Sequence, residues 1–293
     1  MTAEALHHER PIVRFARQHP ILSLALLLTV LPTLYAMATQ SWTREEGVHG
    51  PLVLATAIWL VWRQWDEIIA EARPGMMAIA APLLVLGAVA YTFGRAYNFL
   101  IVEVAALLLS LVAIAYSFVG AKVLKKLWFP IAYTVFLIPL PGWVLDTLTQ
   151  PLKIFVSDVT TWLLAVVGYP ITQVGVTLYI AQYQLLVEDA CAGLNSIISL
   201  TAVGLFYIYL LHNASWRYSL LLLAFVLPIA IAANIVRVII LVLITYYFGD
   251  EAAQGYLHDF AGIVTFVSAL LFIFLLDSVL TPLRGWLGDK SDA

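Results

Sequence analysis

Long apolar runs separated by short polar breaks make up most of the chain. A helix needs about 20 apolar residues to cross the hydrocarbon core of a bilayer, and eight runs approach or exceed that length. They fall at about Pro20–Thr39, Gly50–Trp65, Met76–Phe93, Phe99–Val119, Leu127–Leu140, Cys191–Leu211, Trp216–Phe248 and His258–Leu280. The pattern predicts an all-α polytopic membrane protein with about eight transmembrane helices.

The segment between the fifth and sixth runs has a different pattern. After the helix-breaking sequence PLPG at 139–142, Leu148–Val167 has a helical pattern in which polar residues interrupt the apolar ones. These polar residues are Lys153, Ser157, Asp158 and Thr160. We expect a short helix at the membrane interface. Gly175–Val187 is rich in β-branched and aromatic residues around a polar centre at Ala181 and Gln182, which predicts a β-hairpin just outside the membrane, before helix six.

Composition agrees with a membrane protein. Hydrophobic residues make up 62% of the chain and charged residues 11%, with a mean hydropathy of +0.94, whereas a soluble domain is about half apolar and a quarter charged. The net charge is −3, and no basic run alternates with aromatic residues, so we expect no nucleic-acid partner. The lipid bilayer is the first expected partner.

The distribution of basic residues predicts the orientation. If the N-terminus is cytoplasmic and there are eight spans, eleven of the fifteen basic residues fall on the cytoplasmic side, as the positive-inside rule requires. The remaining four are Arg44, Arg95, Lys153 and Arg237. Both termini are then cytoplasmic. The predicted regions are a tail at 1–19, a five-helix region at 20–147, an outer helix and hairpin at 148–190, a three-helix region at 191–281 and a tail at 282–293.

Three residues with potential for chemistry reach the outer face in this topology. Cys191, the one cysteine of the chain, opens the sixth span there, and His258 opens the eighth. Arg237 lies about twenty residues into the seventh span, which starts inside near Trp216; at 1.5 Å per residue that is roughly 30 Å, one hydrocarbon thickness. The sequence therefore predicts that the three side chains meet at one membrane depth.

These residue types match the parts of a cysteine nucleophile, a general base and an oxyanion stabiliser. A helix N-terminus and an arginine would both favour the thiolate form of Cys191. Each residue also has a simpler interpretation: Cys191 as packing, Arg237 as an anchor that snorkels to the interface, and His258 as an interfacial polar residue. We expect no metal and no cofactor, because the sequence holds neither a ligand cluster nor a phosphate-binding or dinucleotide-binding motif.

Three motifs around these residues resemble those of the exosortase/archaeosortase family. The sequence ACAGL at 190–194 is similar to the family's Ala-Cys-Ser-Gly-Leu signature, with Ala192 where serine is usual. ANIVRV at 233–238 resembles its Asn-x-x-Arg-Val segment, and HDFAG at 258–262 its His-x-x-x-Gly segment. Upstream, HG at 49–50, FLIPLP at 136–141 and GYPITQVG at 168–175 are also similar. The resemblance covers nearly the whole chain from about Ser41.

The resemblance implies a bacterial inner-membrane thiol protease or transpeptidase whose active site faces the periplasm. Its substrates would be exported proteins that end in the PEP-CTERM signal, which is a Pro-Glu-Pro motif, one transmembrane helix and a basic tail. Cys191 would form a thioester, His258 would act as acid and base, and Arg237 would stabilise the thiolate or oxyanion, before transfer to an unknown acceptor. Gly193, Asn195 and Asn234 are the supporting residues that the motifs add.

Two other classes of protein remain compatible with the sequence. One is a transport or polysaccharide-assembly protein without covalent catalysis, in which Arg237 and His258 would line a pathway. The spans show no internal repeat and few charges other than Glu103, which argues against it. The other is a structural membrane partner in which Cys191 is only packing. Only the enzyme requires a reactive, accessible thiol at Cys191.

Overall fold

The computed structural model of the chain describes residues 17–44, 47–186, 193–211, 216–249, 267–268 and 270–280. These residues form two compact units. The first unit contains the described residues up to Arg44 together with Leu54–Pro139. The second contains residues 47–53 and the described residues from Leu140 onward. The predicted catalytic residues all belong to the part of the sequence that follows Leu140.

Helices make up the first unit. They are α1 Pro20–Gln40, α2 Gly50–Arg63, α3 Trp65–Glu71, α4 Met77–Ala96, α5 Leu100–Lys126 and α6 Trp128–Tyr133, which continues as a 3-10 turn over Thr134–Leu137. The first residues of α2 belong to the second unit. Helices α4 and α5 form an antiparallel hairpin in which a Cβ at Gly94 would lie 2.5 Å from the Glu103 backbone nitrogen. A glycine is therefore needed for the two backbones to approach this closely.

Ion pairs connect α3 to the C-terminal end of α5. The Glu71 carboxylate lies 3.0 Å from Lys122 Nζ and also accepts a hydrogen bond from Lys126 Nζ. The hydrogen bonds from Lys126 and Lys122 lower the pKa of the Glu71 carboxyl below its usual value. The charge pattern assigns both lysines to the cytoplasmic side. The network therefore holds α3 against α5 at the predicted cytoplasmic end of the first unit.

The second unit combines helices with a small sheet. Its elements are α7 Gly142–Val166, β1 Ile171–Val174, β2 Thr177–Ile180, β3 Tyr183–Leu186, α8 Gly193–Leu211, α9 Trp216–Phe248 and α10 Leu270–Leu280. Two apolar clusters hold it together. The first lies between α7, the sheet and the C-terminal half of α9, and the second lies mainly between α8, α10 and the N-terminal half of α9.

The all-α membrane class is confirmed. Among the described helices, α1, α4, α5 and α9 contain stretches that are long and apolar enough to cross a bilayer. Helix α2, the segment Trp128–Leu137, and parts of α8 and α10 are apolar but shorter. Within the described residues, four helices are thus long and apolar enough to span a bilayer and four apolar ones are shorter, so the number of eight spans stays a prediction.

The predicted hairpin is part of a larger sheet. Strands β2 and β3 pair antiparallel and turn at Ala181 and Gln182, as the sequence predicts, with Ala181 at a φ of +50°. Strand β1, which the sequence pattern does not predict, pairs antiparallel with β2 on its other side. Its four residues follow a Gly-Tyr-Pro break and are too few to show an alternating pattern by themselves. Packing against α7 rather than intrinsic propensity defines this strand.

Helix α7 differs from the predicted interfacial helix in length and in burial. It begins at Gly142, directly after the proline segment, and runs for 25 residues. Of its four predicted surface polar residues, Lys153, Ser157 and Thr160 are buried and only Asp158 is exposed. Its exposed large apolar side chains are those of Ile154, Phe155, Trp162 and Val166. A helix in the membrane interface would turn its polar side chains to water, whereas three of these four face the interior of the protein.

Candidate active site

Of the predicted site residues, four lie in the described part of the chain. Asn234 and Arg237 lie in the second half of α9, Gly193 is the first residue of α8, and Asn195 lies in the first turn of that helix. The structure describes the backbone of Asn195 but not its side chain. Cys191 and His258 lie outside the described residues.

Arg237 and Asn234 are buried in the protein. Arg237 is 5% exposed and Asn234 is 2% exposed. They lie one turn apart on α9. The second apolar cluster reaches Ala230 on one side of them, and the first cluster includes Ile235. A snorkelling arginine keeps its guanidinium in water, and an exposure of 5% does not fit that role. An ionisable side chain buried in a membrane-spanning helix is a candidate functional group.

A close contact fixes the register of α8 against α9. A Cβ at Gly204 would lie 3.1 Å from Val226 Cγ2, so the two helices touch at these residues. Gly193 precedes Gly204 by eleven residues, and Arg237 follows Val226 by eleven residues. Eleven residues of α-helix are about three full turns and rise about 16 Å. Since α8 and α9 run antiparallel, Gly193 and Arg237 lie at the same level on the facing sides of the two helices.

Helix α7 approaches α9 from another side and runs parallel to it. Tyr169, just after α7, packs edge-to-face on Tyr246, with ring centroids 5.4 Å apart, and its hydroxyl lies 2.9 Å from that of Tyr247. Thr160 precedes Tyr169 by nine residues, just as Arg237 precedes Tyr246 by nine. Thr160 and Arg237 are therefore level to within about one helical turn. The hydrogen bond with Tyr247 raises the pKa of the Tyr169 phenol.

The face that α7 turns toward α9 carries buried polar groups. Val156 and Leu164 of this face pack in one cluster with Val238 and Val242 of α9. Thr160 lies one turn from each of the two α7 residues and is fully buried. Lys153, Ser157 and Thr160 follow one another at helical spacing on the same side, with exposures of 7%, 0% and 0%. Polar groups of α7 and α9 therefore face a common interior.

The sheet holds the chain that leads toward Cys191. Ile171, Leu178, Ile180 and Leu185 are buried and belong to the cluster that includes Val238 and Val242. Strand β3 ends at Leu186, five residues before Cys191. Gln173 of β1 also donates a hydrogen bond to Asp158 of α7. The sheet is thus anchored on the same two helices, α7 and α9, that carry Thr160 and Arg237.

A buried carboxylate that the sequence pattern does not single out connects three helices. Asp277 of α10 accepts hydrogen bonds from Tyr207 of α8, 2.6 Å to Oδ2, and from Tyr218 of α9, 2.7 Å to Oδ1. The signal in the sequence was an aspartate near the end of an apolar run. The three helices joined here are the ones next to, or containing, Cys191, Arg237 and His258. The hydrogen bonds to Asp277 therefore hold α8, α9 and α10 together at the ends of these helices that lie away from Gly193 and Arg237.

The first unit has a buried carboxylate of its own. Glu103 is 2% exposed, accepts a hydrogen bond of 2.7 Å from Thr33 Oγ1, and lies 3.3 Å from Arg95 Nη1. Thr33 in turn lies 3.1 Å from the Tyr91 hydroxyl. These contacts link α1, α4 and α5. They give the Glu103 carboxylate a structural role, so its presence within a span does not require a transport pathway. Within the described residues, no three His, Cys, Asp or Glu side chains are grouped as metal ligands.

The structure defines a polytopic helical membrane protein with a buried arginine at the level where α8 begins. A family model described as transmembrane exosortase matches residues 42–275. The match covers most of the chain and includes Cys191, Arg237 and His258. The protein belongs to the transmembrane exosortase family. No curated protein and no solved structure matches the chain.

Proposed function

We propose that this protein is a cysteine endopeptidase and transpeptidase that cleaves the C-terminal sorting signal of exported proteins. The observation that carries the proposal is the common level of Gly193 and Arg237 on facing helices. Two peptide units separate Cys191 from Gly193, so their Cα atoms are at most about 7 Å apart. We place the thiol near the buried guanidinium in this proposal, where the positive charge would favour a thiolate.

His258 is the proposed acid and base. Ile273 of α10 lies near the Gly204–Val226 contact, since a Cβ at Gly204 would lie 3.7 Å from Ile273 Cδ1. Arg237 is about 16 Å farther along α9 from that contact. His258 precedes Ile273 by fifteen residues, which is enough chain to cover this rise in helical or extended form. His258 can thus reach the level of Arg237 by chain length.

The reaction proceeds through a thioester. His258 takes the thiol proton, and the Cys191 thiolate adds to the scissile carbonyl carbon; the C–S bond forms while the π-electron pair moves to oxygen. When the oxyanion collapses, the C–N bond breaks and the leaving amine takes the proton from His258. An acceptor nucleophile gives its proton to His258, attacks the thioester and releases the Cys191 thiolate. Arg237 stabilises the thiolate and the oxyanion.

The substrate is an exported protein with a Pro-Glu-Pro motif, a transmembrane helix and a basic tail. Its helix would lie in the bilayer beside α7, α8 and α9, with the motif at the outer face. In this arrangement the protein is a multi-pass protein of the bacterial inner membrane, with both termini in the cytoplasm and the active site toward the periplasm. The resemblance of three sequence motifs to those of the family is the reason for proposing this substrate class.

The test is processing of a reporter protein that carries the three-part signal. Cys191→Ser should insert at the wild-type level, because one small side chain replaces another, and should abolish processing, because a hydroxyl is far less acidic than a thiol. Wild-type enzyme should accumulate a hydroxylamine-sensitive adduct with the reporter, and Cys191→Ala should not. Processing by Cys191→Ala at the wild-type rate would overturn the proposal.

A further inference from the structure

The hydroxyl of Thr160 behaves unlike most hydroxyls in the described helices. Helical serine and threonine side chains usually bond to a carbonyl one turn back, and Thr29, Thr33, Ser110, Ser157 and Thr245 do so here. Thr160 Oγ1 is buried and has no hydrogen-bond partner among the described residues. Ser23, Thr161 and Ser199 share this property, but of the four only Thr160 has no exposed surface.

An unsatisfied buried hydroxyl destabilises a protein. Burying one without a partner costs about 1–3 kcal/mol on the scale of protein mutations, and valine would fill the same space without that cost. Thr160 nevertheless lies between Val156 and Leu164, on the side of α7 that packs against α9. Groups that lower stability in this way are frequent where a protein binds or transforms a ligand.

The position of Thr160 indicates what its hydroxyl binds. Thr160 is level with Arg237 to within about one helical turn, and Arg237 is level with Gly193, so residues from α7, α8 and α9 come to a similar depth in the second unit. Asn234 and Arg237 lie on the part of α9 between the side that meets α8 at Val226 and the side that meets α7 at Val238. A substrate carbonyl held beside Cys191 would thus be flanked by α7 as well as by Arg237.

We propose that the Thr160 hydroxyl is a further catalytic group, which donates a hydrogen bond to the scissile carbonyl oxygen as it becomes an oxyanion. This inference rests on the proposed function. In the addition step, the oxygen gains the electron pair of the carbonyl π bond and full negative charge. A fixed hydroxyl in a site without water stabilises that charge more than the neutral carbonyl, so it lowers the barrier. No proton leaves Thr160, because it donates a hydrogen bond and keeps its hydrogen.

The experiment compares two valine substitutions in the full-length protein, reconstituted with a reporter that carries the proposed sorting signal. Thr160→Val removes the hydroxyl that has no hydrogen-bond partner among the described residues. Thr245→Val is the matched control, because Thr245 is also fully buried and bonds its own helix at Leu241 O, 2.9 Å away. We expect Thr160→Val to lower kcat about a hundredfold or more, the typical cost of losing one oxyanion donor, with little change in KM, and Thr245→Val to remain near the wild-type rate.

Two further measurements separate catalysis from folding. Thr160→Val should match or exceed the wild-type melting temperature, since it removes an unsatisfied hydroxyl, and Thr160→Ser should recover most of the lost rate. The pH profile of Cys191 alkylation should stay unchanged in Thr160→Val, because the hydroxyl acts on the oxyanion and not on the thiolate. If the Thr160→Val protein is not present at normal levels, Thr160→Ala and Thr160→Ser can be compared instead. This pair also differs in the hydroxyl, and neither side chain is larger than threonine.

Each outcome decides between the two proposals. If Cys191 is essential but Thr160→Val processes the reporter as fast as Thr245→Val, the role of Thr160 is wrong and the thiol mechanism stands. The role of Thr160 is also wrong if Thr160→Ser is as slow as Thr160→Val. If Cys191→Ala processes the reporter normally, the proposed function itself fails, whatever the Thr160 variants do.

Discussion

Gly204 of α8 lies directly against Val226 of α9, with room for a hydrogen but hardly for a methyl group, since a Cβ would come within 3.1 Å of Val226 Cγ2. This contact determines which residues of the two helices lie level with each other. It places the start of α8 beside Arg237, although the two are more than forty residues apart in sequence.

We therefore expect Gly204→Leu to force α8 and α9 apart. Overpacking of this kind costs typically about 1–3 kcal/mol, so the melting temperature in detergent should fall and reporter processing should fall with it. Gly142→Leu is the matched control, because no atom lies within 4 Å of a Cβ at Gly142. An unchanged melting temperature and rate for Gly204→Leu would show that this contact does not hold the helix pair.

Arg237→Lys separates a catalytic arginine from an anchor. An anchor needs only a positive charge on a flexible stem, whereas a thiolate or oxyanion site uses the planar, fixed donors of the guanidinium, which lysine lacks. We expect normal insertion and a loss of at least about tenfold in processing, below the typical cost of losing one oxyanion donor. The loss is measured as the ratio of processed to unprocessed reporter on immunoblots at matched enzyme levels. Near-wild-type processing would mean that Arg237 is an anchor and that Cys191 and His258 act as a catalytic dyad.

Cysteine accessibility tests the orientation. On a Cys191→Ala background, a membrane-impermeant thiol reagent added outside should label a cysteine at Gln182, in the exposed β2–β3 turn, and one at Gln254. It should not label a cysteine at Lys125, exposed near the end of α5, or at Asn213. Permeabilised cells provide the control that all four sites react. Labelling of Asn213 from outside would contradict the eight-span arrangement.

The Asp277 contacts should stabilise the second unit. Hydrogen bonds to a charged group contribute about 1.5–3 kcal/mol each, so Tyr218→Phe, at a residue that is fully buried, should lower the melting temperature clearly. Tyr207→Phe should do so as well. Tyr179→Phe is the control, because that side chain is 37% exposed on the sheet. Additive losses in the double Tyr207 and Tyr218 variant would argue that the two phenols do not share one carboxylate.

Glu103→Gln tests the transport alternative. Glutamine keeps the size and the acceptor for Thr33 but removes the charge opposite Arg95, whose side chain is 47% exposed. Such a half-exposed ion pair contributes about 1 kcal/mol or less. We expect a slightly lower melting temperature and reporter processing near the wild-type rate. Loss of processing at normal protein levels would mean that this carboxylate has a role in the reaction, contrary to a purely structural one.

The sequence by itself determined the class of the protein, because long apolar runs have few alternatives to membrane helices. The boundaries of α1, α8 and α9 follow from apolar length alone, and the turn at Ala181 and Gln182 follows from local polarity. The motifs around Cys191, Arg237 and His258 also indicated the family. These features are local, so neighbouring residues in the chain are enough to specify them.

Tertiary structure decided the features that depend on which surfaces meet. The polar residues of α7 predicted a helix at the membrane interface, yet packing in the second unit buries Lys153, Ser157 and Thr160. Strand β1 is too short to form without β2 and α7. The pairing of Asp277 with two tyrosines, and the common level of Gly193, Thr160 and Arg237, depend on helix register. Register is set by close contacts such as that of Gly204 with Val226, between residues that the sequence keeps far apart.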